Sequence, residues 1–252
     1  MRIVIIGSGN VATVLGKIIK NAGHDIIQVI GRNIVYAETL AATLGCKSGS
    51  YDVQPDTTAD MYIIAISDTA LYDFPVGFNF GNKIVVHTAG SVSKNVLEKL
   101  SANYGVLYPL QSLRKEMDVI PTVPLLIDGN TKEVIRYVTE FAQTLSPIVS
   151  FADDDQRVHL HLAAVVVCNF TNHLYALTEA FCKKERVDFT MLYPIIAETA
   201  LRIEKKSAGE LQTGPAMRND FVTIDKHLKM LNTYPALRNI YLKLTDSIIE
   251  NS

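Results

Sequence analysis

Gly7, Ser8, Gly9, Asn10, Val11 and Ala12 stand between an apolar run, Arg2 to Ile6, and an apolar-periodic one that carries Val14, Leu15, Ile18 and Ile19. Glycine at the first of these positions permits a tight turn, and glycine two residues later lets backbone N–H groups approach a pyrophosphate. A small residue three further on lets a helix pack closely on its strand. The chemistry of such a turn is phosphate binding at a helix N-terminus, where unpaired N–H groups and the helix dipole favour an anion. A second apolar run, His24 to Ile30, completes a strand–helix–strand pattern. The opening is therefore expected to bind a dinucleotide; a glycine-rich turn that binds nothing is the other reading.

The end of the second run carries the next piece of chemistry. An NAD site usually has Asp or Glu there, about 20 residues beyond the glycines, to hold the ribose hydroxyls. This chain reads Gln28-Val-Ile-Gly-Arg-Asn33, and its only nearby acid, Asp25, precedes the strand. Arg32 offers a permanently charged donor fork suited to a 2′-phosphate, with Asn33 beside it as a second donor, which favours NADP(H) over NAD(H). Arg32 as a solvated loop cation is the alternative.

Polar residues recur where further apolar runs stop. Met61 to Ile66 ends in Ser67 and Asp68, and Lys83 to His87 ends in Thr88-Ala-Gly-Ser91. Ligands of open α/β sheets lie outside the carboxyl ends of the strands, so Ser67, Asp68 and Thr88 become cofactor candidates by position. His87 is the candidate for proton transfer, because imidazole titrates near neutrality; a hydrogen-bonded loop anchor is the competing role. Later in the chain, Asn169 and His173 share one helical face, with His161 two turns before Asn169. Asn169 reads either as a satisfied structural amide or as a contact to substrate or nicotinamide, whereas His161 and His173 read more readily as structural. Arg218 and Asp220 either pair to brace their loop or bring an anion-binding group to a cleft.

These residues need elements to hold them. The first half alternates strand and helix patterns, which implies an α/β fold with a mostly parallel, doubly wound, Rossmann-type sheet. Helices are expected at about 35–44 and 132–145, and further strands at 105–108, 124–127 and 148–151. After Asp153-Asp-Asp155 only helical patterns remain, at about 156–185, 190–204, 221–231 and 235–249. The division is therefore 1–152, a nucleotide-binding domain, and 153–252, an all-α domain. The long helix is apolar nearly all round through Leu162-Ala-Ala-Val-Val-Val-Cys168, so it is expected to be buried between layers or between subunits, and a homodimer follows. A formal net charge of −2 over 252 residues, with no Lys/Arg cluster, leaves no electrostatic footprint for nucleic acid. The apolar stretch 162–168 is far short of a membrane span, and the N-terminus lacks the flanks of a signal peptide. Cys46, Cys168 and Cys182 are unpatterned, fitting a reducing cytoplasm rather than disulfides or a metal site.

The chain resembles a bacterial family of NADP-dependent oxidoreductases that joins a Rossmann domain to a helical C-terminal domain. More distantly it is similar to pyrroline-5-carboxylate reductase and the 6-phosphogluconate dehydrogenase superfamily. The resemblance rests on Gly7-Ser-Gly-Asn-Val-Ala12, Gly31-Arg-Asn33, Ile66-Ser-Asp68, His87-Thr-Ala-Gly-Ser91 and Tyr108-Pro-Leu-Gln111. It continues through His161-Leu-Ala-Ala, Cys168-Asn169, Thr213-Gly-Pro215, Arg218, Asp220, Thr223 and His227-Leu228. It implies a helical dimerisation domain and a substrate cleft between the two domains.

The departures from that pattern bear on mechanism. The hydroxyacid-dehydrogenase branch places a proton-transferring Lys four residues before an Asn on the long helix; here Val165 precedes Asn169 at that distance. The Ser-Gly-Ser-Gly-Pro run of pyrroline-5-carboxylate reductase is replaced by Val167-Cys-Asn-Phe-Thr171. The expected activity is hydride transfer between NADP(H) and a small carbonyl or imine compound, with His87 moving the proton, Asn169 orienting the substrate, and Gln111 and Arg218 as helpers. A non-catalytic NADP(H)-binding sensor would need the same glycines and Arg32 but no proton donor. A methyltransferase would usually hold the adenosine ribose with an acid after the second strand, where this chain has Gly31-Arg32-Asn33.

Overall fold

Along the first strand, β1 (Arg2–Ile6), side chains of alternating parity enter two different cores: Ile3 and Ile5 join one, Val4 and Ile6 the other. A strand buried on both faces belongs to a sheet covered on both sides. The computed structural model, which describes residues 1–74 and 77–251, shows that sheet. Its eight strands are β1, β2 (Asp25–Ile30), β3 (Lys47–Gly49), β4 (Met61–Ile64), β5 (Ile84–His87), β6 (Asn103–Pro109), β7 (Leu125–Gly129) and β8 (Val149–Phe151), in the order β3-β2-β1-β4-β5-β6-β7-β8. Every neighbouring pair is parallel except β6 with β7.

Helices α1 (Asn10–Asn21), α2 (Ile34–Leu44) and α4 (Lys132–Leu145) contribute Leu15, Ile19, Leu40, Val138 and Phe141 to the first core. The short α3 (Asp68–Tyr72) gives Leu71 to the second, with Phe74, Phe78 and Phe80. The strand order reverses between β1 and β4, the topological switch where open α/β sheets bind ligands. The β3 and α3 elements were not anticipated: Lys47-Ser-Gly49 has no strand propensity and is a strand only because it pairs with Gln28, Val29 and Ile30.

A single 32-residue helix, Asp154–Glu185, follows β8. It consists of α5 (Asp154–Ala164), a π-helical segment (Val165–Phe170) and α6 (Thr171–Glu185). Asp153 and Gln156 form a capping box at its start, and acids fill its first turn, as the macrodipole favours. The helix is long and apolar enough by length and composition to cross a membrane. The short-stretch argument against a span therefore falls, because apolar residues continue past the interrupting polar ones.

Residues 1–165 form one compact unit and 166–252 a second. The division expected at 152/153 lies one helix earlier than this: α5 stays with the sheet because its Arg157 side chain is wholly buried there. The second unit contains α6, α7 (Tyr193–Arg202), α8 (Phe221–Met230) and α9 (Pro235–Glu250). Few of its apolar side chains are covered. Val167, Phe170, Met191, Ile195, Leu201 and Val222 are 58–84% exposed.

Candidate functional site

The turn after β1 leaves no choice of residue at Gly7. Its φ is +131°, and a Cβ would stand 2.0 Å from the Ala65 carbonyl oxygen beyond β4. Its N–H donates to the Ile30 carbonyl at 2.7 Å, tying together the ends of β1 and β2. Gly9 is the N-cap of α1, with no side-chain cap, no acid in the first turn, and open space where a Cβ would be. The first N–H groups of α1 are thus left for an outside anion. Asn10 accepts from the Lys115 N–H at 3.2 Å, Val11 is half-buried, and Ala12 is fully buried against the sheet. Ser8 sits beside Gly31, where a Cβ would come within 3.2 Å of its hydroxyl.

Arg32 lies just past β2, exposed, without a hydrogen bond or ion pair among the described residues. Asn33 has a role the sequence reading did not give it. It is the N-cap of α2, its Oδ1 accepting from the Val35 and Tyr36 N–H groups. Its amide NH₂ group stays available as a donor.

At the neighbouring strand ends, Ser67 is the N-cap of α3, Asp68 accepts a hydrogen bond from the Ser91 hydroxyl, and Thr88 is buried with its N–H on the Ile64 carbonyl. His87 is 0% exposed, and its Nδ1 accepts from the Ala89 N–H at 3.1 Å. Burial first, then the Arg157 charge, pulls the ring down to about 4 against weaker opposing pulls from the Ser93 backbone, Asp154 and Asp68. At neutral pH the imidazole is therefore uncharged, with Nδ1 held by its loop and Nε2 buried without a hydrogen-bond partner among the described residues.

Beneath that loop, Arg157 donates from Nη2 to the Val92 carbonyl at 2.5 Å and to Asp154 at 2.7 Å. Asp154 also accepts from the Ser93 hydroxyl at 2.5 Å and the Lys94 N–H at 3.2 Å. Burial works against ionising Asp154, but these hydrogen bonds and the Arg157 charge together hold its carboxyl below the usual range.

The structure also joins two residues that sequence spacing did not. The Tyr108 hydroxyl, near the carboxyl end of β6, is 2.9 Å from His161 Nδ1 on α5. A polar ring at a strand end, in a run already marked by the family resemblance, was the available signal. Their proximity has no signal in spacing, because 53 residues separate them.

The other sequence candidates have local surroundings of their own. Gln111, exposed, uses its Oε1 to accept from the Ser112 N–H at 2.9 Å. Asn169 is exposed on the π-helical segment, and its side chain makes no hydrogen bond among the described residues. Arg218 is exposed and forms no ion pair with Asp220; that carboxylate instead caps α8 by accepting from the Thr223 N–H and hydroxyl. Among the described residues no cluster of His, Cys, Asp or Glu could hold a metal ion.

Comparison with known proteins agrees with this frame. Residues 2–106 match the family model "NADP oxidoreductase coenzyme F420-dependent", and residues 123–248 match the "Domain of unknown function (DUF2520)". The crystal structure of the Bacteroides fragilis protein named "putative NADP oxidoreductase BF3122" is 38% identical, with a TM-score of 0.91 over 99% of this chain and 98% of that one. The chain belongs to this NADP oxidoreductase family. Membership makes it an oxidoreductase that works with a nicotinamide dinucleotide. A reductive aminase from Aspergillus terreus, solved with NADPH and ethyl-5-oxohexanoate, shares the fold at 15% identity and a TM-score of 0.69, covering 98% of this chain and 92% of that one. So does 1-pyrroline-5-carboxylate reductase from Streptococcus pyogenes, at 15% identity and a TM-score of 0.62, covering 99% and 98%. A comparison with curated proteins returns no significant match.

Proposed function

We propose that this oxidoreductase uses NADP(H) in preference to NAD(H) and transfers hydride between it and a small carbonyl or imine compound. The observation that carries the cofactor choice is Arg32, exposed and unpaired at the end of β2, where no carboxylate stands. A guanidinium there offers a bidentate partner to a 2′-phosphate, while an NAD ribose would lack its usual acceptor. Gly7, Ser8, Gly9, Asn10, Val11 and Ala12 take the pyrophosphate, and Asn33, Ser67, Asp68 and Thr88 complete the cofactor set by position. When bound, the dinucleotide supplies the hydride; the protein has to orient the acceptor and supply a proton. Asn169, with a free exposed amide, is assigned to orienting the substrate, with Gln111 and Arg218 as helpers.

The test is a titration of the native chain and of Arg32→Ala with NADPH and with NADH, followed by nicotinamide fluorescence. Loss of a charge-assisted pair of hydrogen bonds should weaken NADPH binding by about 10- to 100-fold and leave NADH nearly unchanged. Equal affinity of the native chain for both nucleotides would remove the assignment. Turnover separates the enzyme from a non-catalytic sensor.

We further propose that the second unit associates with a second copy of the chain. Val166, Val167 and Phe170 are 48–70% exposed where this unit begins on the long helix, an apolar patch of the kind that marks an association surface. His161, Asn169, Asn172 and His173 interrupt the apolar residues, which favours a protein partner over lipid, where polar groups need internal partners. The three free cysteines fit a reducing, cytoplasmic setting.

A further inference from the structure

We infer that Tyr108 delivers the proton of the reaction to the substrate and that His161 reloads it from water. The inference rests on the hydride-transfer reading above and assigns the proton to a donor less buried than His87. Tyr108 sits near the carboxyl end of β6, two positions beyond Val106, which pairs in parallel register with His87 of β5. It therefore stands at the same edge of the sheet as the cofactor turn, and its ring is only partly buried. Its hydroxyl is 2.9 Å from His161 Nδ1, and the two rings meet edge to face with centroids 6.0 Å apart.

Gly90 makes that approach possible. A Cβ at this position would lie 2.7 Å from His161 Nδ1 and 2.9 Å from Tyr108 Cζ, so a larger residue would displace one member of the pair. Burial chiefly, helped by the Asp68 charge and opposed by Arg157, raises the Tyr108 pKa, so the phenol is protonated at neutral pH and able to donate. His161 Nε2 makes no hydrogen bond among the described residues and is not sealed from solvent. The pair thus runs from a partly buried phenol to an imidazole nitrogen open to water.

The step balances without a further reactant. As the carbonyl carbon gains hydride, its C=O π bond breaks and the electron pair passes to oxygen. The Tyr108 O–H bond breaks as the new O–H bond forms, with an imine nitrogen taking the proton in the same way. His161 then passes its Nδ1 proton to the phenolate and takes one at Nε2 from water, whose O–H bond breaks to leave hydroxide in solvent; the imidazole stays neutral, and proton exchange with solvent restores its Nδ1–H tautomer. Tyr108 is the group that touches substrate; His161 is a relay that acts through it.

The experiment combines binding, spectroscopy and turnover on the full chain with Tyr108→Phe, His161→Ala and Gly90→Ala. NADP⁺ binding is measured first for each; it should be unchanged in Tyr108→Phe. The His161 imidazole nitrogen resonances are then recorded by NMR with and without NADP⁺, and cofactor bound within reach of the pair should displace them. NADPH oxidation is followed with pyruvate, butanal and 1-pyrroline as acceptors, where Tyr108→Phe should lose about 100- to 10,000-fold of any native rate. His161→Ala should be slowed and partly rescued by added imidazole, a response that a packing role would not produce. Gly90→Ala should slow turnover while keeping both side chains. His161 nitrogen resonances that ignore bound NADP⁺, or full activity in Tyr108→Phe, would overturn the inference and leave the cofactor reading intact. Failure of NADP⁺ to bind the native chain would remove both.

Discussion

At Gly7 a single hydrogen atom in place of a methyl group sets the geometry of the cofactor turn. Gly7→Ala should lower stability by about 3 kcal/mol or more, because the added Cβ meets a backbone carbonyl at a φ that L residues rarely adopt. Chemical denaturation of the variant, with nucleotide titration at a temperature where it stays folded, measures both losses. His87 gives the opposite kind of residue-scale effect, one that depends on pH. Its folded-state value of about 4 lies below its ordinary 6.5, so above pH 6.5 the ring is neutral in both states and adds no pH dependence. As pH falls from 6.5 to 4 the unfolded chain takes up a proton that the folded one refuses, and stability falls by about 3 kcal/mol across that window. Urea midpoints measured from pH 7 to pH 4 should show this slope, and His87→Asn, which keeps an acceptor for the Ala89 N–H, should flatten it. The glycine was legible in the sequence because its role is local. The burial of the imidazole was not legible, because it is set by Arg157 and by a loop that no spacing reveals.

Among the elements, α5 shows how a helix becomes part of a domain that it follows in sequence. Its start was legible, since acids ahead of an apolar run mark a helix N-terminus. The Asp153–Gln156 capping box implements that start, and Asp153→Ala should cost about 1 kcal/mol by thermal or urea unfolding. Its allegiance was not legible. Arg157 reaches the Val92 carbonyl and Asp154 from a fully buried position, and a lone Arg in an amphipathic pattern gives no sign of such partners. Arg157→Ala should destabilise the first unit by about 3 kcal/mol, because it strips Asp154 of its cation and leaves the Val92 carbonyl unpaired. Breaking the loop that carries Gly90 should also impair the Tyr108–His161 pair, so turnover should fall further than stability alone explains.

For the whole molecule, the exposed apolar residues of the second unit predict concentration-dependent behaviour. Sedimentation should show a dimer, the thermal midpoint should rise with protein concentration, and Val167→Asp should shift the equilibrium toward monomer; a monomer unaffected by concentration would contradict the proposal. The sequence alone determined the α/β architecture, the glycine turn and its cofactor class, the helical second half and the positions along the chain of nearly all strands. Each follows from local periodicity or from a backbone conformation that only certain residues permit. The tertiary structure decided which unit owns α5, that β3 is a strand, that His87 is sealed, and that Tyr108 meets His161 over Gly90. Those outcomes depend on which distant segments share a face and how much water they exclude, and neither burial nor a contact across 53 residues is written in the spacing of side chains along the chain.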